Sequence, residues 1–270
     1  GEYKELGNSL LHSIQLALDE IGDKNIFVIP RDSGFRDKEK INEAIKDLKS
    51  QNVKIIIGPV THQEFSEVKK YSDIVFISPS NISPEFSDNV ISVGISLESQ
   101  LISLVNFIKK QKKKRTIIMY PKNEYAGFIE KKLKDIDFQA KTFSYSSNPQ
   151  ILTGEIENFT NYAQRKRNLD LRKKIFEDKE DEASLRELER LEQLYTLGEV
   201  NFDSVIIIDF GNSLKSVLTS LVYTDVNDSK VLFTTVNQWF DESIFYENTI
   251  KRLYYPSINF REFKKYNENY

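Results

Sequence analysis

The sequence predicts an α/β protein of two lobes, each built on a parallel sheet, with a charged helical hairpin inserted in the second. Three observations predict it. Short runs rich in Ile and Val alternate with stretches of helical periodicity. Those runs show little polar alternation, the pattern of strands covered by helices on both faces. The chain has 270 residues, more than one compact domain of about 150 residues.

Taken in order, residues 3–21 read as a helix, with Leu6, Leu10, Leu11, Ile14, Ala17, Leu18 and Ile21 at three- and four-residue spacing, ended by Gly22. Residues 26–29 read as a short buried strand stopped by Pro30. Asp37 starts a second helix, with Ile41, Ala44, Ile45 and Leu48 on one face. Residues 53–57 form the clearest strand, and Thr61 caps a helix reaching Tyr71. Strands are expected at 74–77 and 90–93, followed by a helix capped by Ser96 and running to Lys110. A strand at 116–120, a helix at 123–133 and a strand at 138–143 follow. Beyond the charged stretch come strand 205–208, helix 214–223, strand 231–234, a last strand at 253–255 and a last helix at 260–270.

A doubly wound lobe ordinarily opens with a strand, whereas this chain opens with Gly1-Glu2-Tyr3-Lys4 and passes straight into a helix. A first strand is therefore expected upstream of Gly1. The lysine-rich stretch 109–115 is read as the crossing between lobes, and it equally suits a helix C-terminus, where cations are favoured. A second crossing near 236–240 returns the chain. The expected division is 1–113 plus 239–270 for the first lobe and 114–238 for the second, with a helical arm over 164–197.

The arm is the most unusual stretch. Residues 164–193 hold 18 charged residues of 30, nine positive and nine negative. Leu169, Leu171, Ile175 and Phe176 make one thin apolar stripe, and Leu185, Leu188, Leu191 and Leu194 another. The run Glu177-Asp178-Lys179-Glu180-Asp181-Glu182 breaks them. Two antiparallel helices joined on a leucine seam are expected, because i,i+4 ion pairs contribute only a few tenths of a kcal/mol each. Such an insertion is either a solvated structural element or a docking arm for another protein.

Composition excludes several function classes. Net charge is 38 − 41 = −3, which argues against a nucleic-acid binder with a global basic field. No apolar run approaches the ~20 residues that span a bilayer. With no cysteine there is no disulfide framework, no thiol nucleophile and no Cys-ligated zinc. His12 and His62, the two histidines, read as ordinary surface or boundary residues. There is no G-x-x-x-x-G-K-[ST], G-x-G-x-x-G after a strand, H-E-x-x-H or G-x-S-x-G, so neither catalysis nor a cofactor is expected.

Ligands of open parallel sheets sit beyond the carboxyl ends of the strands. Three loops there stand out: Gly58-Pro59-Val60-Thr61-His62, Ser78-Pro79-Ser80-Asn81, and Tyr120-Pro121-Lys122-Asn123-Glu124-Tyr125-Ala126-Gly127. The backbone N–H groups and the Thr61 hydroxyl at a helix start can hold an anion such as a carboxylate, and Tyr125 can stack on a ligand. Asp209-Phe210-Gly211-Asn212 and Asn237-Gln238-Trp239 are weaker candidates. Gly, Pro, Ser and Asn also belong in turns for purely structural reasons.

Ile55-Ile56-Ile57-Gly58-Pro59-Val60-Thr61, with Ile77-Ser78-Pro79-Ser80 about twenty residues on, resembles the type I periplasmic binding proteins of the leucine/isoleucine/valine-binding group. Met119-Tyr120-Pro121-Lys122-Asn123-Glu124-Tyr125-Ala126-Gly127 resembles the start of their second lobe. The charged insertion followed by Leu194-Tyr195-Thr196-Leu197-Gly198-Glu199-Val200-Asn201-Phe202-Asp203 is similar to the penicillin-binding protein activator branch. The resemblance implies two Rossmann-like lobes, no enzymatic activity, and a periplasmic protein tethered to the outer membrane, if at all, by a lipid anchor outside this sequence. It implies either a peptidoglycan synthase as partner or, in the alternative, an ABC permease served by a receptor for an amino-acid-like ligand. By this resemblance Thr61, Ser78 and Ser80 fall where such proteins hold an amino acid's carboxylate and ammonium groups, and Tyr125 falls near their second-lobe aromatic; with Asn81 and Asp209 from the loops above, they make the set of candidate ligand-binding residues. His62-Gln63 departs from the family's run of small residues, and Asp209 does not align securely with its ammonium-binding acid.

Overall fold

The computed structural model describes residues 2–34, 37–60, 64–80, 88–136, 138–237, 244 and 250–269. By packing, the chain divides into Gly1–Ser96 and Leu97–Tyr270.

The first unit holds α1 (Glu2–Ile21), α2 (Lys38–Ser50), β1 (Ile55–Ile57), α3 (Phe65–Val68), β2 (Val75–Ser78) and β3 (Val90–Ser92). The strands form a parallel sheet in the order β1-β2-β3. Asp37 starts α2 as its N-cap, its carboxylate accepting from Glu39 N and Lys40 N. Ile41 and Ile45 of α2 and Phe65 and Val68 of α3 then pack on Phe76 and Val90. The opposite face carries Ile55, Ile57, Val75 and Ile91, which are exposed. The isoleucine runs predict burial on both faces; in this sheet only one face is buried. The expected strand at 26–29 is irregular chain, with Phe27 82% exposed. Apolar character alone does not make a strand without a partner for its backbone groups.

The second unit holds α4 (Leu97–Lys110), β4 (Thr116–Pro121), α5 (Ala126–Lys134), β5 (Lys141–Tyr145), α6 (Pro149–Phe159), α7 (Tyr162–Glu177), α8 (Glu182–Glu192), β6 (Ser204–Ile207), α9 (Gly211–Tyr223), β7 (Leu232–Thr235), β8 (Leu253–Tyr254) and α10 (Phe260–Asn269). Five parallel strands run in the order β5-β4-β6-β7-β8. Here burial on both faces is realised. Ile118, Tyr120, Ile206 and Ile208 pack with α4 and α5, while Ile117, Met119, Val205 and Ile207 pack with α6 and α9. The period of two in β4 and β6 divides one apolar run between two cores.

Two boundaries differ from the sequence expectation. Helix α4, expected in the first lobe, buries Leu101, Leu104, Val105 and Ile108 on the five-stranded sheet, so the division falls at 96/97 rather than 113/114. The basic stretch 109–115 is the C-terminus of α4 and the loop into β4, pinned where Asp203 accepts from Lys114 N (3.1 Å) and Arg115 N (3.0 Å). It is not a crossing. Likewise β8, expected to lie in the first lobe, pairs in parallel with β7 through Phe233 and Thr234.

The charged arm is a helical hairpin, α7 packed on α8. Asp181 caps α8 by accepting from Ser184 N at 3.0 Å. The seam is narrower than the leucine pattern predicts. Leu169 and Leu191 are buried, whereas Leu171, Ile175 and Leu185 are exposed.

Candidate functional site

In the first unit the carboxyl ends of β1 and β2 are tied together by Ser78. Its hydroxyl donates to the Pro59 carbonyl at 2.5 Å and accepts from Ser80 N at 3.2 Å. Gly58 N donates to Ile77 O at 2.8 Å, and the Gly58–Pro59 peptide is cis. Ser92 Oγ donates to Ser80 O at 3.0 Å. Ser78 and Ser80 are both buried. The structure thus brings together these two of the expected residues, with their hydroxyl and amide groups bonding the chain itself. Thr61 and Asn81 lie outside the described residues, as does His62.

Gly94 is the residue that sequence reading missed here. A Cβ at this position stands 2.1 Å from Ser80 O and 2.5 Å from Pro79 O. Only glycine lets the strand leaving β3 pass so close to the Ser-Pro loop. A glycine after an Ile/Val run was the available signal.

In the second unit the corresponding edge of the sheet carries Pro121, Tyr145 and Asp209 at the ends of β4, β5 and β6. Asp209 is buried, and each of its oxygens is engaged. Oδ2 accepts from Tyr145 Oη and Ser213 Oγ, both at 2.6 Å, and Oδ1 accepts from Phe210 N at 2.8 Å. Tyr145 is fully buried, and burial, with the Asp209 charge beside it, pushes its phenol well above the usual tyrosine range. Asp209 therefore sits inside a hydrogen-bonded cluster at the start of α9.

Tyr125 lies just before α5, with its side chain 48% exposed. Its N–H donates to Asn123 Oδ1 at 2.9 Å, a turn closed by an Asn side chain. Next to it, Glu155 of α6 accepts from Lys122 Nζ (2.8 Å) and Ser146 N (2.6 Å). Burial raises the Glu155 carboxyl, but the Lys122 ammonium and the Ser146 amide outweigh it and hold the group below the ordinary range. Tyr120, the partner of Glu130 at 3.0 Å, is pushed up by burial and by that carboxylate. Asn237 N donates to Gln100 Oε1 at 2.7 Å, while Gln238 and Trp239 lie outside the described residues. A separate open groove between α6 and α9 is lined by Thr153, Asn212, Lys215, Ser216 and Thr219.

The base of the arm is a second buried polar cluster among the described residues. Arg165, buried near the start of α7, donates from Nε to Thr160 O (3.0 Å), from Nη1 to Thr196 Oγ1 (3.0 Å) and from Nη2 to Thr224 O (2.5 Å). Thr196 Oγ1 donates to Asp225 Oδ2 at 2.6 Å, and Lys230 Nζ reaches the same oxygen at 2.8 Å. Burial lowers the guanidinium's pKa, and Asp225 opposes that. The arm is thus clamped at its root, where its three neighbouring segments meet.

Compared by sequence, the chain matches no family model and no curated protein. Compared by structure, it is similar to an ABC transporter substrate-binding protein from Desulfitobacterium hafniense. The TM-score is 0.59 at 15% identity, over 96% of this chain and 72% of that one. It is also similar to full-length LpoA from Haemophilus influenzae, with TM-score 0.50 and 10% identity over 85% of this chain. The chain spans only 38% of that protein's length. The C-domain of the Haemophilus protein, a regulator of PBP1A, matches at TM-score 0.47 and 10% identity over 85% of this chain and 65% of that one. With the two parallel sheets described above, the chain has the fold of the type I periplasmic binding proteins.

Proposed function

We propose that this protein is a non-enzymatic periplasmic regulator of cell-wall synthesis that works by contacting a peptidoglycan synthase, with the α7–α8 arm as its contact element. One observation carries the reading: two of the side chains expected to hold an amino-acid ligand, Ser78 and Asp209, already bond the chain itself. Asp209, the candidate acid at the strand ends of the second unit, accepts from Tyr145, Ser213 and Phe210 N. Ser78 is spent on Pro59 and Ser80. The arm, by contrast, is firmly seated through Arg165 and carries exposed aliphatic side chains, Leu171 and Ile175. The likeness to LpoA agrees with this reading. A lipid anchor outside this sequence, holding the protein at the outer membrane, belongs to the same proposal.

A second reading, a solute receptor for an ABC importer, is favoured by the broader match to the Desulfitobacterium protein. A melting-temperature screen against the standard amino acids separates the two, because a ligand that binds only the folded form raises Tm in proportion to its saturation. The regulator reading expects no shift at millimolar ligand and measurable binding to a purified class A penicillin-binding protein. A saturable shift with one amino acid, without synthase binding, overturns it.

A further inference from the structure

Helix α7 has apolar residues on two opposite faces. Leu169 and Phe176, with Arg165, face its packed side, where Leu169 is 3% exposed. Leu171 and Ile175 lie roughly half a turn away from Leu169 by helical phase and are 60% and 51% exposed. A surface helix needs one apolar stripe to stay docked, so the second has no structural duty. Arg167 and Lys174 fall on the same outer stripe as Leu171 and Ile175, at the three- and four-residue spacings that place side chains together. Neither makes an ion pair among the described residues, although Arg167 bonds the neutral Gln164 at 2.8 Å. On α8 the pattern is reversed. Both of its arginines are tied to its own glutamates, Arg186 to Glu182 and Arg190 to Glu187. Over its length α7 carries six basic and two acidic residues, a surplus of 6 − 2 = 4 positive charges, while α8 carries two basic and four acidic.

We propose that the outer face of α7, centred on Leu171 and Ile175 and rimmed by Arg167 and Lys174, is laid into an apolar groove with an acidic rim on the partner protein. The inference rests on the protein-contact reading above and goes beyond it by naming the face and the chemistry of the surface that receives it. The two aliphatic side chains supply the buried centre of a helix-in-groove contact. The cations supply register and rate, and make the contact sensitive to salt. Cations without an ion pair among the described residues, beside an exposed aliphatic pair, specify an acidic partner, since a neutral groove leaves their charge to be desolvated without compensation.

The test measures binding of the whole chain to a purified class A penicillin-binding protein at low and high salt. The variants are L171S/I175S and R167E/K174E, with E189K on α8 as the control. Each double variant is expected to weaken binding by about tenfold or more, the loss typical of hot-spot positions. The wild-type affinity is expected to fall as salt rises, and E189K to bind as wild type does. All sites are exposed, and an unchanged melting curve certifies each variant. If the intact chain binds and both double variants bind equally well, this inference is overturned and the protein-contact reading stands. If the intact chain does not bind, that reading falls and the inference with it. Binding of the intact chain to anionic vesicles, or self-association abolished by L171S/I175S, also overturns it.

Discussion

Nη2 of Arg165 donates to the carbonyl oxygen of Thr224 at 2.5 Å, joining the first turn of the arm to the end of α9. This bond, with those to Thr160 O and Thr196 Oγ1, makes a buried charged residue the keystone of the junction. Arg165→Ala leaves two carbonyls and a hydroxyl in contact with a void, and Asp225 short of a neighbouring cation. The expected cost is about 2–4 kcal/mol, seen as a Tm lower by several degrees. Arg165→Lys recovers only part of it, because an ammonium cannot span three acceptors in a plane. A melting curve unchanged in the alanine variant contradicts this account of the arm's root.

Gly94→Ala places a methyl group 2.1 Å from Ser80 O. Backbone has to move to relieve that contact, so a loss of about 1–3 kcal/mol is expected, with altered proteolysis in the Ser78–Ser80 loop. Gly154→Ala, in the exposed middle of α6 with nothing within 4 Å of its Cβ, is expected to gain about 0.5–1 kcal/mol. Denaturant titration of the two variants measures both signs.

Tyr145 gives a pH prediction. Its folded-state pKa lies above the unfolded value near 10.0 because burial and Asp209 disfavour the phenolate. The native form therefore holds its proton while the unfolded chain releases it. The associated stability is complete below pH 10 and declines as pH rises beyond it. Tyr120, shifted in the same direction, adds to the slope. Tyr145→Phe should cost about 1 kcal/mol at neutral pH and flatten the alkaline decline. A decline equally steep in the variant assigns the effect elsewhere.

Asp203 acts at the other end of the scale. Burial raises its carboxyl, but the Lys114 and Arg115 amides outweigh that and lower it below the ordinary aspartate value of 3.8. Its contribution is present above that value and is lost as pH falls through the lower folded one. Asp203→Asn should destabilise the entry to β4 by about 1.5–3 kcal/mol at neutral pH, the range for hydrogen bonds to charged groups. It should also reduce the acid dependence of unfolding between pH 5 and 2, read by circular dichroism.

The second sheet was legible because β4 and β6 carry unbroken apolar runs, residues 117–120 and 205–208, whose lack of polar alternation signals burial on both faces. The edge loops were legible for the same reason, since Pro121 and Asp209 simply follow those strands. The division at 96/97 was not, because Leu101, Leu104 and Ile108 declare an apolar face but not which sheet receives it. Gly94 and Ser80 are fourteen positions apart, and their approach depends on the pairing of β2 with β3. Arg165 was hidden by its surroundings: within a stretch where more than half of the residues are charged, nothing local distinguishes the one cation that is buried. The outer stripe of α7 was counted into the seam, since Leu169 and Leu171 are two residues apart and face different ways only once the helix is built.

On the proposed reading, the protein acts through its arm. The most direct measurement replaces residues 170–190 with a short Gly/Ser linker, which spans the 8–10 Å between packed antiparallel helices. This keeps Arg165, Leu169, Leu191 and Thr196, and with them the clamped root. The affinity of this shortened chain for a purified class A penicillin-binding protein is then compared with that of the intact one. An unchanged melting transition and binding weakened by about tenfold or more are expected. A shortened chain that binds the synthase as tightly as the intact protein contradicts that reading.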